Sequence, residues 1–377
     1  MTRFRLTPVD VPSAKRCTVV GVMCVMACAL IVPTRVPGQA VPGFRMQFDQ
    51  HFDRQYLFAN KPNGETRTIF EAQLAPQLSI WNNLNASYDN ALGKPRAWHR
   101  GSGLRFTMLT RLRMTTESSS PVRTPSYMPK LTYQLFMVRR ASESVTKESL
   151  DAHGVTSLAA DLTVGHYSNG QDGCLFANQR RAANRKDCEM DPSVPAAPLT
   201  TNRRDGSFSM HYLEAGVYKR AISLNTTTLE PAEAGVASDG YWSAGIRTRY
   251  HVPERWLGGG MSQELRDVYG GWRINATADK VWWRDKGFHG LGPGHLRLEA
   301  FVEALPGMSD AVPPVRFSVE LSRSYYKHDG WGSFIRYYYG QDYYNLGFLT
   351  QLSVVQFGAM IDRDRLPSFR MPGLGRP

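Results

Sequence analysis

Between residues 55 and 360 the chain reads as about twelve runs in which apolar and polar side chains alternate. They span 55–59, 71–81, 104–112, 131–138, 158–168, 208–218, 241–250, 272–281, 296–302, 315–325, 332–339 and 345–360, with clusters of Gly, Pro, Asn, Asp and Ser between them. A period of two marks a strand whose two faces meet different surroundings. No convincing amphipathic helix interrupts the series. In many runs one face is polar and the other small or apolar, which is too little bulk for the core of a sandwich. Strands of this kind in lipid must satisfy every backbone N–H and C=O among themselves, and only a closed barrel does so. The pattern therefore predicts an all-β chain, a transmembrane antiparallel β-barrel of about twelve strands; a secreted β-sandwich or jelly roll is the soluble alternative.

The N-terminus agrees with export. Arg3, Arg5, Lys15 and Arg16 precede an uncharged run from Cys17 to Val32, and Gly38-Gln39-Ala40 supplies small residues at its end. This is the layout of a signal peptide cleaved near Ala40. The apolar run has 16 residues, short for a membrane helix. We expect residues 1–40 to be the signal and 41–377 one barrel domain, without internal repeats or a domain-sized linker. Three cysteines fall within the signal, leaving Cys174 and Cys188, 14 residues apart. In an exported chain they suggest a disulfide, with two free thiols as the alternative.

Aromatic pairs gather at run ends: Tyr241-Trp242, Trp282-Trp283, Tyr325-Tyr326, and Tyr337 to Tyr339 with Tyr343-Tyr344. Outer-membrane barrels carry such residues as girdles at both interfaces. The last run is followed by a polar, Pro-containing tail, where many such barrels end on an aromatic residue. Residues 1–40 hold five Lys/Arg and one Asp, so the formal charge falls from +12 to +8 once they are removed. No basic stripe with nucleic-acid motifs accompanies this charge. Anionic lipid headgroups or lipopolysaccharide are the expected neighbours, with no nucleic acid.

The longest irregular segment, 171–206, holds both remaining cysteines. Long barrel loops lie on the extracellular side. At its mouth stands Gly165-His166-Tyr167-Ser168-Asn169-Gly170. In a strand Leu162, Val164, His166 and Ser168 share one face, which the apolar stripe marks as the lipid face. Residues at i and i+2 lie roughly 6.5–7 Å apart, within reach of an imidazole–hydroxyl hydrogen bond. Beyond the loop, Ser207, Ser209, His211, Leu213, Ala215 and Val217 share a face, while Glu214 points to the lumen. The two strands should pair antiparallel and bring His211 beside His166. The plain alternative is a strand ending in an Asn-Gly turn, with polar residues where the chain meets water. Elsewhere there is no G-x-S-x-G elbow, H-E-x-x-H, Walker loop or C-x-x-C pair. His289 and His295 read as histidines of a Gly-rich turn.

Four stretches together resemble the bacterial outer-membrane phospholipase A family. They are Gly165 to Gly170; Ser119-Ser120-Pro121 through Tyr127-Met128-Pro129; Phe52 to Leu57; and Tyr339-Gly340 through Tyr344-Asn345 to Phe357-Gly358-Ala359-Met360. The resemblance implies a twelve-stranded barrel that hydrolyses acyl esters of membrane phospholipids, often as a calcium-dependent dimer. It assigns Ser168 as nucleophile, His166 as general base and the Gly170 amide as oxyanion donor. Ser207 and the Gln171 carbonyl correspond to calcium ligands, and Ser119 to the ligand contributed by a second subunit. The family's third catalytic residue is an asparagine; the register here puts His211 in its place. The loop is also longer than the family pattern. Outer-membrane lipid A deacylases share the local His-Tyr-Ser-Asn signal but use a glutamate, and a non-catalytic structural or porin-like barrel is the further alternative.

Overall fold

A computed structural model describes residues 53–61, 68–94, 96–115, 122–140, 154–181, 188–193, 200–225, 236–254, 260–284, 294–308, 313–324, 331–361 and 368–369. Residues 1–40 with the expected signal, Ser119, Tyr325-Tyr326 and His289 lie outside the described residues.

In chain order the elements are β1 (Gln55–Lys61), β2 (Thr68–Leu74), β3 (Gln77–Asn82), helix α1 (Leu84–Gly93), β4 (His99–Thr115), β5 (Val122–Arg140) and β6 (Val155–Ser168). After the short strands β7 (Gln179–Arg181) and β8 (Cys188–Met190) come β9 (Ser209–Asn225), β10 (Val236–His251), helix α2 (Gln263–Tyr269) and β11 (Trp272–Arg284). The chain continues through β12 (Gly294–Ala304), β13 (Val315–Ser324), β14 (Trp331–Gln341), a 3₁₀ turn (Asn345–Leu349), β15 (Gln351–Ile361) and β16 (Ser368–Phe369). Consecutive long strands pair antiparallel, and β1 closes the sheet onto β15, from Gln55 opposite Ile361 to Lys61 opposite Val355. The result is a closed barrel of twelve staves. β2 and β3 make one stave, broken at Ala75-Pro76; both pair with β4. Proline cannot donate to the ladder, so the run read as continuous bends there.

Alternation divides each stave between lipid and lumen. On β6, Leu162 and Val164 are exposed on the outer wall, while Thr163, Gly165 and Tyr167 are buried. Val217 of β9 is 61% exposed. Apolar side chains turned outward on a closed sheet define a transmembrane barrel.

Inside, the barrel is plugged at both ends. At the end opposite the long loop, Leu84, Tyr88 and Ala91 of α1 pack with Phe136, Val155 and Ile222. At the loop end Leu265 and Val268 of α2 join Leu175, Phe176, Met210 and Phe348. The helices were not legible as such: α1 has only ten residues, and among its described side chains the inward stripe is Leu84, Ser87, Tyr88 and Ala91. Between the plugs, a lumenal cavity of about 270 Å³ is lined by charge. Arg54 bridges Glu299 (2.7 Å) and Glu320 (2.8 Å), and Glu214 is shared by Arg247 (3.1 Å) and Arg249 (2.7 Å). The aromatic expectation needs correcting at four tyrosines: Tyr241 is buried in the plug beneath Arg220, and Tyr338 is buried against the lumenal cavity. Tyr343 and Tyr344 turn inward, because Arg113 stacks on both rings and the Tyr343 hydroxyl donates to Glu71. Trp242, Trp272, Trp331 and Tyr337 do lie exposed on the outer wall. His295 is also not in a turn: it pairs within β12, opposite Ser324.

Candidate active site

The β6–β9 pairing fixes the site. His166 stands directly opposite His211 and Ser168 opposite Ser209. The two imidazoles meet through Nδ1 and Nδ1 at 3.1 Å, with ring centroids 4.8 Å apart and planes inclined by 45°. Both rings are half-buried on the outer wall, above the exposed stripe of Leu162 and Val164. One Nδ1 must carry hydrogen and the other a lone pair, so the contact orders the two tautomers. With the proton on His166 Nδ1, its Nε2 is the unprotonated nitrogen. Ser168 shares this wall two residues on, though no hydrogen bond joins it to His166 among the described residues; such contacts commonly tighten only around a substrate.

The sequence around the pair has local reasons. On the lumenal side the ring of Tyr212 lies over Gly165, where a Cβ would sit 2.2 Å from Cζ. Glycine before His166 thus lets an aromatic residue pack behind the imidazole. Gly170 adopts φ +66°, the left-handed turn that ends the strand. On the other flank, Tyr127 of β5 stands opposite Ser168, and Lys130 opposite Gly165. Pairing lapses between these two points, where the register carries Pro129, which has no N–H, opposite His166. The Tyr-x-Pro segment therefore borders the His-x-Ser segment in space.

Asn169 is the residue whose part the sequence did not reveal. It is 1% exposed, and its Nδ2 donates to the Gly206 carbonyl (2.7 Å) and to Gln171 Oε1 (3.1 Å). Its Oδ1 accepts from the Phe208 amide (3.3 Å) and, more weakly, from the Gln171 amide (3.4 Å). One side chain thus ties the outgoing and returning limbs of the long loop. Ser207 N–H donates to the Gly173 carbonyl at 2.9 Å and continues the seam. The disulfide Cys174–Cys188 closes the loop's outer part. Its returning limb is fastened to the barrel rim by Thr201 donating to the Leu346 carbonyl (2.7 Å) and Arg203 donating to Thr350 Oγ1 (2.6 Å).

Gln171 and Ser207 lie on these two facing limbs. Their carbonyl and hydroxyl oxygens are hard and neutral, a donor type that fits calcium and suits neither zinc nor copper. Among the described residues no group of three or more His, Cys, Asp or Glu converges on a metal position. Glu214, the carboxylate nearest in sequence to His211, is committed to Arg247 and Arg249 inside the barrel.

Fold and site together define a plugged transmembrane barrel that carries a serine and a hydrogen-bonded histidine pair on its lipid-facing wall. No protein-family model and no curated protein sequence matches the chain. Solved structures similar to it include outer membrane phospholipase A from Escherichia coli, at 15% identity over 82% of this chain and 93% of that one, TM-score 0.39. An active-site mutant of that protein matches at 15% identity over 86% and 95%, TM-score 0.40. The calcium-bound dimer of outer membrane phospholipase from Salmonella typhi matches at 13% identity over 82% and 91%, TM-score 0.37.

Proposed function

We propose that this chain is exported by cleavage near Ala40 to the bacterial outer membrane and there hydrolyses acyl esters of phospholipids. The observation that carries the reading is the Nδ1–Nδ1 contact of His166 and His211 on the outer wall, with Ser168 on the same wall. A serine hydroxyl is a poor nucleophile until a base within reach takes its proton. His166 Nε2 accepts that proton as Ser168 Oγ adds to the ester carbonyl, and His211 holds the tautomer by accepting from His166 Nδ1–H. The Gly170 amide donates to the developing oxyanion. Collapse breaks the acyl–oxygen bond, His166 returns the proton to the departing lysophospholipid, and water attacking under the same base releases the fatty acid.

Calcium would be held by the Gln171 carbonyl and Ser207, with Ser119 of a second copy in a homodimer, and would supply electrophilic stabilisation beside the oxyanion. The lipid-facing position of the histidines and the likeness of the His-x-Ser-Asn-Gly and Tyr-x-Pro segments to outer-membrane phospholipases support this substrate. The test is acyl release from phosphatidylethanolamine by protein refolded in detergent, parent against Ser168→Ala, with calcium or chelator. Calcium-dependent release lost in Ser168→Ala is the expected outcome. Release from lipopolysaccharide alone would replace the reading with a deacylase, and silence on both would leave a structural barrel.

A further inference from the structure

Beyond their place beside Ser168, His166 and His211 have the geometry of a chelate. They stand directly opposite each other on β6 and β9, so the ladder holds both rings side by side. Their Nδ1 atoms are 3.1 Å apart. A metal bound to both at about 2.0–2.1 Å would see them at roughly 98°, between the right angle of tetragonal copper and the wider tetrahedral angle of zinc. The ring centres give a second measure, for they lie 4.8 Å apart. A head-on N–H···N bond of the same length would put the centres about 5.4 Å apart, each about 1.1 Å behind its nitrogen. Two rings aimed at one metal would have centres roughly 4.8 Å apart. The rings are thus not head-on, and their spacing is that of two ligands sharing one ion.

The surroundings suit a cation arriving from water. The pair lies at the loop end of both strands, two residues before β6 ends at Ser168 and two after β9 begins at Ser209. Both rings are half-buried rather than sealed. Behind them Tyr212 packs over Gly165, so the backbone under the pair is held, and ligands on strands are placed more precisely than ligands on loops. Neutral imidazoles prefer copper, zinc or nickel to calcium, which takes oxygen ligands.

We propose that His166 and His211 bind one divalent transition-metal ion through both Nδ1 atoms, with water in the remaining positions, and that the ion silences Ser168. No third His, Cys, Asp or Glu joins them among the described residues, which makes the ion an exchangeable inhibitor rather than a resident cofactor. The protons balance. In the hydrogen-bonded pair His166 carries its hydrogen on Nδ1 and His211 on Nε2. The metal needs both Nδ1 lone pairs, so the His166 hydrogen moves to Nε2 and none is lost. Nε2 is the atom that accepts from Ser168 in the hydrolase reading, so metal and catalysis exclude each other. The metal site does not rest on that reading; its inhibitory effect does.

The test uses the full refolded chain, untagged, in nonionic detergent, with calcium present throughout to fill oxygen-rich positions. Copper(II) is titrated in and followed by electron spin-echo modulation, which counts coordinated imidazoles through their remote nitrogens. The expected result is one copper per chain, with two imidazoles in the parent and one in either His166→Asn or His211→Asn. Losing even a supporting residue around a metal costs about 10–100-fold in affinity, so each variant should bind at least about tenfold more weakly. On phosphatidylethanolamine, zinc should inhibit the parent at a concentration at least about tenfold below that needed for whatever rate His211→Asn retains, and a zinc-selective chelator should restore the parent. Two imidazoles in either variant, fewer than two in the parent, or equal affinities overturn the site. Unaltered hydrolysis by metal-loaded parent overturns the inhibitory role. If no ester is cleaved but the copper signature follows the variants, the site stands and the hydrolase reading falls. Retained heat-modifiable migration on gels establishes that the variants still fold.

Discussion

Replacing Asn169 with alanine removes a side chain that holds the site without taking part in chemistry. The substitution deletes two donated and two accepted hydrogen bonds. Gln171 is exposed enough to find water, but the Gly206 carbonyl and the Phe208 amide are buried. Each buried group left unsatisfied costs about 1–3 kcal/mol, so two cost roughly 3–4 kcal/mol once some relaxation is allowed. That energy falls on the seam between loop and strand, because the barrel ladder does not depend on it. At about 1.4 kcal/mol per decade, the open population of the seam should rise about 100-fold or more. Hydrogen exchange followed by mass spectrometry in detergent reads this directly: protection of Ser207 and Phe208 should fall by about that factor, with β11 to β14 unaffected. Asn169→Asp is the control. It keeps the acceptor for the Phe208 amide but sets a carboxylate oxygen where a donor met the Gly206 carbonyl at 2.7 Å, so damage should concentrate at Gly206. Unchanged protection at Phe208 in Asn169→Ala would refute the reasoning, since the seam would then be held by something else.

Three further outcomes follow from the same contacts. His211→Asn should flatten the acid limb of the pH–rate profile, because protonating a histidine pair in Nδ1–Nδ1 contact removes its one acceptor and adds repulsion, whereas an amide oxygen accepts at any pH; superimposable profiles would sink this. Cys174→Ser with Cys188→Ser should destabilise the loop by about 3 kcal/mol, on the entropy of a closure 14 residues long, seen as faster proteolysis between 171 and 206 with the barrel's circular dichroism intact. Glu214→Gln leaves Arg247 and Arg249 facing a neutral amide and should cost about 3–5 kcal/mol, measured as a lower midpoint for loss of heat-modifiable migration.

Much of the barrel was legible because lipid makes the period-two code strict: each of the twelve runs became one stave, and the outward face of β6 and β9 was read from Val164, Leu213 and their neighbours. The boundaries were not. β5 begins at Val122, not at 131, since Pro125 and Pro129 look like breakers in isolation and are accommodated where the ladder lapses. Tyr343 and Tyr344 were read with the interface aromatics; their capture by Arg113 depends on β4 crossing beneath, which no local pattern encodes. The meeting of His166 and His211 needed only strand register. The work of Asn169 stayed hidden because an Asn-Gly step reads as a turn whatever else the asparagine holds.

The plugged lumen and the outward histidines have a further consequence. Since Leu162 and Val164 stand in lipid immediately below His166, the height of the reactive wall is set by how the apolar band seats itself in the bilayer. On the proposed reading the barrel is a depth gauge: Ser168 meets whatever lies at the boundary between acyl chains and headgroups. A bilayer thinner or thicker than the band would slide that boundary past the wall, at a cost of only fractions of a kcal/mol per ångström. Membrane thickness then selects which bond is presented, with no movement of any side chain.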